Sequence, residues 1–315
     1  IMMSFPDPNS LVCSKILEKT ELALIKLSNS LKIDNLSRDF LKEIVIPLAV
    51  YFDSLERKKD PHFIGFTGGQ GSGKTTLSEF VQLVLQLGFD KKTIGFSLDD
   101  IYKTPEEREE DAKNIHPLCR VRGVPGTHDI QLGLDILDSL CNAGSSTLTS
   151  IPAFSKPLDR HMPKGTWRKY KGRPDFIFFD GWCVGSKPIS TENWKPPMNK
   201  LEEEEDPEGI WSKWSNEELD RNYQVLFNRF DILLMIKVPN MEHVYESRWI
   251  QEKTLAKTLT DPELKKKIMT KEEVWRFVMH YERLTRYILE EMPSFADIVL
   301  KRDQNFDFSF IKTSK

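Results

Sequence analysis

The stretch Gly68 to Thr75, reading GGQGSGKT, carries the plainest chemistry in this sequence. It follows the apolar segment His62 to Phe66 and precedes a helix-patterned run in which Leu77, Phe80, Val81, Val84 and Leu85 share one face. Gly68, Gly69, Gly71 and Gly73 allow backbone turns that a Cβ would forbid, so that successive N–H groups and the start of the next helix converge on phosphate oxygens. Lys74 then supplies a point charge for the β- and γ-phosphates of ATP, and Thr75 a hydroxyl for Mg²⁺. Gln70, Ser72 and Thr76 complete the expected nucleotide-binding set. The competing reading is a glycine-rich turn ahead of an ordinary helix, but strand, loop, Lys-Thr pair and helix all agree on the phosphate cradle.

A phosphate loop alone says only that a nucleotide binds, and the residues that act on an acceptor must come from elsewhere. In Phe96-Ser97-Leu98-Asp99-Asp100-Ile101-Tyr102, two acids follow a short apolar strand. Ligands of an open parallel sheet lie beyond the carboxyl ends of its strands, which is where these acids emerge. A carboxylate there accepts the proton of an acceptor hydroxyl and aligns its oxygen with the γ-phosphorus, a role assigned to Asp99 with Asp100 as the alternative. A Mg²⁺-binding or helix-capping carboxylate is the other reading of the pair. Phe176-Ile177-Phe178-Phe179-Asp180-Gly181-Trp182 is a third strand ending in an acid, the form of a Walker B segment, and puts Asp180 on Mg²⁺. No glutamate follows Asp180, and Asn199-Lys200-Leu201-Glu202 fails the NKxD guanine pattern, so neither a motor ATPase nor a GTPase is favoured.

These side chains need a scaffold, and the composition bounds it. A chain of 315 residues with 39% apolar and 30% charged residues is long enough for one large α/β domain with extensions. Net charge −3 gives no basic footprint, so nucleic acid is not an expected partner. Cys13, Cys119, Cys141 and Cys183 form no CxxC pair, which argues against a zinc knuckle or disulfide framework and for a reducing, cytoplasmic setting. No run approaches the roughly eighteen apolar residues of a membrane span, and Ile1 to Pro6 lacks the basic and apolar regions of a signal peptide. The expected partner is a small-molecule acceptor, and the expected state a monomer or weak homo-oligomer.

Along the chain, residues 1–60 read as an N-terminal helical extension, with Phe40, Leu41, Ile44, Val45, Leu48 and Phe52 on one stripe. Residues 61–315 read as the catalytic domain, with short apolar runs at His62 to Phe66, Thr93 to Ser97, Phe176 to Phe179, Ile232 to Val238 and Ile298 to Leu300. Runs so far apart need crossovers and predict a mostly parallel sheet with helices around it. Residues 188–208, rich in proline and carrying Glu202 to Asp206, predict a solvated acidic surface insertion. Thr270 and Glu273 predict a capping box ahead of a helix that buries Val274, Phe277, Val278, Tyr281 and Leu284.

The motifs FTGGQGSGKTTL, SLDDIY, RGVPGTHD from Arg122 to Asp129, FFDGW and YESRWIQE from Tyr245 to Glu252 together resemble the D-glycerate 3-kinase family, which is similar to pantothenate kinase, uridine kinase and phosphoribulokinase. Family members read SIDDFY at the second strand, FEGW at the third, and DKS followed by GDRxPxxxW between them. Here Ser155-Lys156-Pro157 stands for DKS, Asp159-Arg160-His161-Met162-Pro163 with Trp167 for the longer motif, and Asp180 for the glutamate. The resemblance implies a P-loop nucleoside triphosphate hydrolase-like three-layer fold with a mostly parallel five-stranded sheet. It implies transfer of the γ-phosphoryl of ATP to a hydroxyl of a small metabolite, D-glycerate above pantothenate- or nucleoside-like acceptors. It also implies Asp99 as proton acceptor, Arg122, His128, Lys156 and Arg160 on the acceptor side, and Arg248 as a lid arginine.

The residue types support part of this. Arg122 and Arg160 could form a guanidinium fork for a carboxylate, although both could equally be solvated. His128 either touches the acceptor or caps the helix starting at Asp129, and Arg248 either faces the phosphate or lies on a solvated helix face. Asp100 is also expected on the acceptor side, and Tyr102 and Trp182 flank the two acids as candidate pocket walls, where an aromatic residue is otherwise simply core. Two readings from other classes use the same phosphate loop: a nucleotide-dependent switch or ATPase, and a non-catalytic scaffold with the acidic insertion as its interaction element.

Overall fold

The computed structural model describes residues 5–33, 36–305 and 307–313. In chain order its strands are β1 (His62–Gly68), β2 (Thr93–Ser97), β3 (Leu148–Ile151), β4 (Phe154–Ser155), β5 (Arg160–His161), β6 (Arg168–Lys171), β7 (Phe176–Gly181), β8 (Ile232–Lys237), β9 (Ile298–Arg302) and β10 (Phe308–Thr313). The central sheet runs β10-β9-β8-β1-β7-β2, while β3 with β6 and β4 with β5 form two small antiparallel ribbons. β2, β7, β1, β8 and β9 pair in parallel, and each matches one of the five apolar runs in the sequence. A sixth strand, β10, adds antiparallel to β9 at the edge and was not anticipated; Phe308-Ser309-Phe310 alternates, but too briefly to signal a strand.

Alternation within the strands splits the core into two layers. Phe176 and Phe178 face one side with Phe66, Leu234 and Leu300, and meet Leu17, Leu24, Ile44, Phe52, Phe80 and Val84. Ile177 and Phe179 face the other side with Phe63, Phe96, Met235 and Val299, and meet Ile136, Leu219, Tyr223, Tyr281 and Ile288. Helices therefore cover both faces, as a parallel sheet requires. The N-terminal helices Leu11–Ser30 and Ile46–Asp53 lie in the first layer beside the helix Lys74–Phe89, and Leu41, Ile44, Val45, Leu48 and Phe52 of the sequence stripe are all buried. Among the described residues no helix is long and apolar enough to cross a membrane.

The acidic run, expected as a solvated surface insertion, is solvated in part. Lys200–Glu205 is a short helix capped by Asn199, and it buries Leu201 and Glu202 while exposing Glu203 and Glu204. Glu202 takes Arg283 Nη2 at 2.6 Å, and the buried Asp206 accepts the backbone N–H groups of Trp211 at 2.9 Å and Ser212 at 3.0 Å. Composition gave no hint that two of the acids would find buried donors. The capping box at Thr270 and Glu273 is present at the start of the long helix Lys271–Phe295.

Register decides what meets at the carboxyl edge. Phe66 pairs with Asp180, Thr67 with Gly181, and Ser97 with Asp180, so the phosphate loop, the β7 acid and the acids after β2 leave the sheet side by side. The chain passes from β1 out to β2 beyond β7, and later returns to β8 on the other side of β1. The strand order thus reverses at β1, which places the phosphate loop that leaves it at the switch point where α/β sheets bind ligands.

Candidate active site

The phosphate loop is shaped by two glycines in the left-handed region, Gly71 at φ 75° and Gly73 at φ 87°. A Cβ on Gly68 would sit 2.5 Å from Ser72 Oγ, so only glycine lets the loop close on itself. The helix Lys74–Phe89 starts from Gly73 with no side-chain cap, which leaves its first-turn N–H groups for an anion. Ser72 Oγ is buried without a partner. Lys74 is partly buried beneath the loop, and burial lowers its pKa against the opposing pull of Asp180 and Asp99.

Asp180 is 6% exposed and hydrogen-bonded by Thr75, while its Oδ1 has no partner. Burial raises its pKa, with Lys74 opposing, so the site favours a cation that stabilises the carboxylate. An orphaned carboxylate oxygen beside a hydroxyl fits Mg²⁺. Among the described residues no group of three or more His, Cys, Asp or Glu side chains is placed to hold a metal ion.

The pair Asp99 and Asp100 divides its labour through local capping. Both belong to the short turn Leu98–Ile101, where Asp100 bends back to accept the Ser97 N–H at 2.8 Å and Ser97 Oγ accepts the Asp99 N–H at 3.2 Å. Asp100, expected on the acceptor side, thus serves the turn; burial and the nearby Asp180 and Asp99 push its pKa up to about 7, against the Ser97 N–H. Asp99 projects the other way, accepting the Tyr102 hydroxyl at 2.7 Å and the Lys156 ammonium at 2.6 Å. Burial would raise its pKa, but Lys156, Tyr102 and Lys74 outweigh that and hold it below the usual carboxylate range.

Around Asp99 stands an aromatic and cationic wall. His128 is 3% exposed, stacks on Tyr102 at 4.6 Å between ring centroids, and joins its Nδ1 to the Tyr223 hydroxyl at 2.6 Å. Burial, aided by Lys103 and Arg108 against Asp99, lowers its pKa to about 3, so the ring is neutral. The helix Ile130–Cys141 is capped by Asp129, whose carboxylate takes the Leu132 N–H at 2.9 Å, which removes the capping role for His128. Arg122 lies over Tyr102 and Phe154, 5.9 and 5.7 Å from their ring centroids.

Arg122 and Arg160, expected together on the acceptor side, are engaged differently. Arg160 is exposed on β5 and makes no ion pair among the described residues, whereas Arg108 and Arg122 grip the two oxygens of Asp159 at 2.6 and 2.7 Å. Arg108 sits in an acidic helical run, Pro105–Asn114, and no local pattern marks it. Trp182 is core: its indole N–H holds the Gly123 carbonyl at 2.7 Å, and its ring meets Tyr281 edge-on. Tyr281 in turn donates to the Arg122 carbonyl at 2.9 Å and hydrogen-bonds Gln70, linking the acceptor wall to the phosphate loop.

The helix Met241–Thr258 closes the other side. Cβ atoms placed on Gly71 and Gly69 would lie 3.0 Å from Ser247 and 3.5 Å from Val244 respectively. Arg248 follows Ser247, lies 5.5 Å from the Phe277 ring centroid, and pairs with the buried Glu252 at 2.7 Å. Arg302, the last residue of β9, donates to the Gly71 carbonyl at 2.7 Å, and burial lowers its pKa to about 10. Its signal in the sequence was a base at the carboxyl end of a parallel strand, two residues past the apolar run Ile298 to Leu300.

A parallel sheet with a glycine phosphate loop at its switch point, a β7 acid beside it and a second acid facing the loop lysine defines a P-loop kinase. The chain belongs to the D-glycerate 3-kinase family of these enzymes. It is 30% identical over 258 residues to the uncharacterized kinase mug58 of Schizosaccharomyces pombe, covering 76% of this chain and 86% of that one. It is 29% identical over 197 residues to the chloroplastic D-glycerate 3-kinase of Arabidopsis thaliana, covering 60% of this chain but only 40% of that longer protein. The solved D-glycerate 3-kinase of Cryptococcus neoformans shares the fold, with a TM-score of 0.65 at 20% identity over 84% of this chain and 95% of that one. No family model matches the chain.

Proposed function

We propose that this kinase transfers the γ-phosphoryl of ATP to a hydroxyl of a small carboxylate-bearing metabolite, D-glycerate. The observation that carries the reading is Asp99, a carboxylate just past the end of β2, within the field of Lys74 and in contact with Lys156 and Tyr102, with His128 and Arg122 packed against the Tyr102 ring. The name of the Arabidopsis relative supports the choice of acceptor.

In this reading the loop amides and Lys74 hold the β- and γ-phosphates, and the transition-state charge on the equatorial oxygens is met by donors already in place. Asp99 accepts the proton of the acceptor hydroxyl as its oxygen closes on phosphorus, and ADP leaves on the opposite side. Cationic Lys156 and Arg122 orient the acceptor carboxylate, and Arg248 reaches the transferring group from the closing helix. Thr75 and Asp180 would hold Mg²⁺, which neutralises phosphate charge when bound.

The test is Asp99→Asn, assayed against hydroxy acids, nucleosides and pantothenate. Loss of a general base predicts a fall of about 10²–10⁴ in transfer to D-glycerate, with ATP affinity nearly unchanged. Collapse of ATP binding with residual transfer would make Asp99 a metal ligand instead. Preference for a nucleoside or pantothenate would move the acceptor, and hydrolysis indifferent to all of them would replace the kinase by a switch.

A further inference from the structure

The loop between β4 and β5 occupies the acceptor side of the crevice with charges of its own. Lys156 places its ammonium 2.6 Å from Asp99 Oδ2, with no other residue between base and cation. Three residues on, Asp159 stands in the left-handed region at φ 54°, which Asp tolerates better than most non-glycine residues and which a tertiary constraint holds in place. The constraint is visible: Arg108 and Arg122 each take one of its oxygens, and Arg122 also donates to the Lys156 carbonyl at 3.2 Å. Lys267, from the segment after the helix Pro262–Lys265, ties the Pro157 carbonyl at 2.9 Å. The backbone is therefore anchored at Lys156 and at Pro157 and Asp159 after it, while the Lys156 side chain is 59% exposed and ends on Asp99.

We propose that Lys156 is a latch on the base, opened by the negative charge of the acceptor. Without an acceptor the ammonium occupies Asp99 and keeps the carboxylate from a water molecule beside the bound nucleotide. An arriving carboxylate competes for the same ammonium, draws it away, and leaves Asp99 to take the hydroxyl proton of that acceptor. The bonds in the transfer are ordinary: acceptor oxygen to phosphorus forms, phosphorus to the ADP oxygen breaks, and the proton rests on Asp99. With water as acceptor the same balance gives phosphate and ADP, the wasteful reaction that the latch suppresses. Lys156 is also the strongest charge depressing the basicity of Asp99, in line with a base held idle until that cation is withdrawn. The inference rests on the kinase reading and adds to it that acceptor charge, as well as shape, is sensed.

Lys156→Met and Lys156→Arg test it, since an exposed loop side chain tolerates both. Three rates are measured for each and for the wild type: ATP hydrolysis without acceptor, transfer to D-glycerate, and transfer to glycerol, which lacks the carboxylate. Lys156→Met should raise acceptor-free hydrolysis roughly fivefold, the factor expected for an ion pair of this exposure, and should raise the KM for glycerate with less effect on kcat. The preference for glycerate over glycerol should shrink, and Lys156→Arg should restore both behaviours. The double variant Asp99→Asn with Lys156→Met should hydrolyse ATP no faster than wild type, because the released base is gone. Unchanged acceptor-free hydrolysis in Lys156→Met, or an increase that survives the loss of Asp99, overturns the latch. Failure of the wild type to phosphorylate glycerate would overturn the acceptor assignment alone, because the hydrolysis arm reads the latch without any acceptor.

Discussion

Acidifying this protein should reveal His128. Its imidazole is 3% exposed, stacked on Tyr102 and joined through Nδ1 to Tyr223, and burial, with Lys103 and Arg108 aiding it against Asp99, puts its folded pKa at about 3. In the unfolded chain the same ring titrates near 6.5. Between those values the unfolded state binds a proton that the folded state refuses, so stability falls as pH drops through about 6.5 and continues to fall toward 3. From pH 7 to pH 5 the free proton-binding of the unfolded ring amounts to about 1.4 pH units of linkage, or about 2 kcal/mol. For a chain of 315 residues, at about 2 cal/mol/K of unfolding entropy per residue, that corresponds to roughly 3 °C of melting temperature. The assay is chemical or thermal unfolding across that pH range for wild type and His128→Asn, an amide that keeps a polar partner for Tyr223 without the proton. His62, His243 and His280, whose pKa values are also lowered chiefly by burial, tilt both proteins the same way, so the difference between the two slopes is the measurement. Equal slopes would mean that His128 is not neutral in the fold, and the account of the acceptor wall would fail with it.

Two further outcomes probe other parts of the argument. Glu202→Gln removes the charge opposite Arg283, whose side chain is only 10% exposed, and should destabilise the fold by about 3–5 kcal/mol as an uncompensated buried cation; a change under 1 kcal/mol in denaturant unfolding would return the acidic segment to the solvated role expected from composition. Gly71→Ala forces a side chain into φ 75° with Ser247 Cβ 3.0 Å away, and should weaken ATP binding about tenfold while costing about 1–2 kcal/mol of stability; ATP affinity equal to wild type by calorimetry would show that the helix Met241–Thr258 does not set the loop.

The sequence exposed what local rules govern. The five parallel strands were visible as short apolar runs because helices cover both faces of the sheet and bury most of their side chains, and the phosphate loop was visible because its glycines are dictated by backbone geometry. β10 escaped because its alternation, Phe308-Ser309-Phe310, is too short to signal a strand. The division of labour between Asp99 and Asp100 was hidden in a capping box one turn long, and the real guanidinium fork was hidden because Arg108 reaches Asp159 across 51 positions of chain. Tyr223 and Tyr281, which hold His128 and the Arg122 carbonyl, are likewise tertiary choices that no spacing announces.

The bond from Arg302 to the Gly71 carbonyl means that the nucleotide cradle is moored to the far half of the sheet, two strands away from the strand that bears it. Fraying of β9 would slacken the cradle, and a cradle filled with nucleotide would resist that fraying, by the mass-action logic through which any ligand protects the state it binds. Strands that never touch ATP would then gain protection against hydrogen exchange and proteolysis when it arrives, so that occupancy of the crevice is written into the durability of the C-terminal edge.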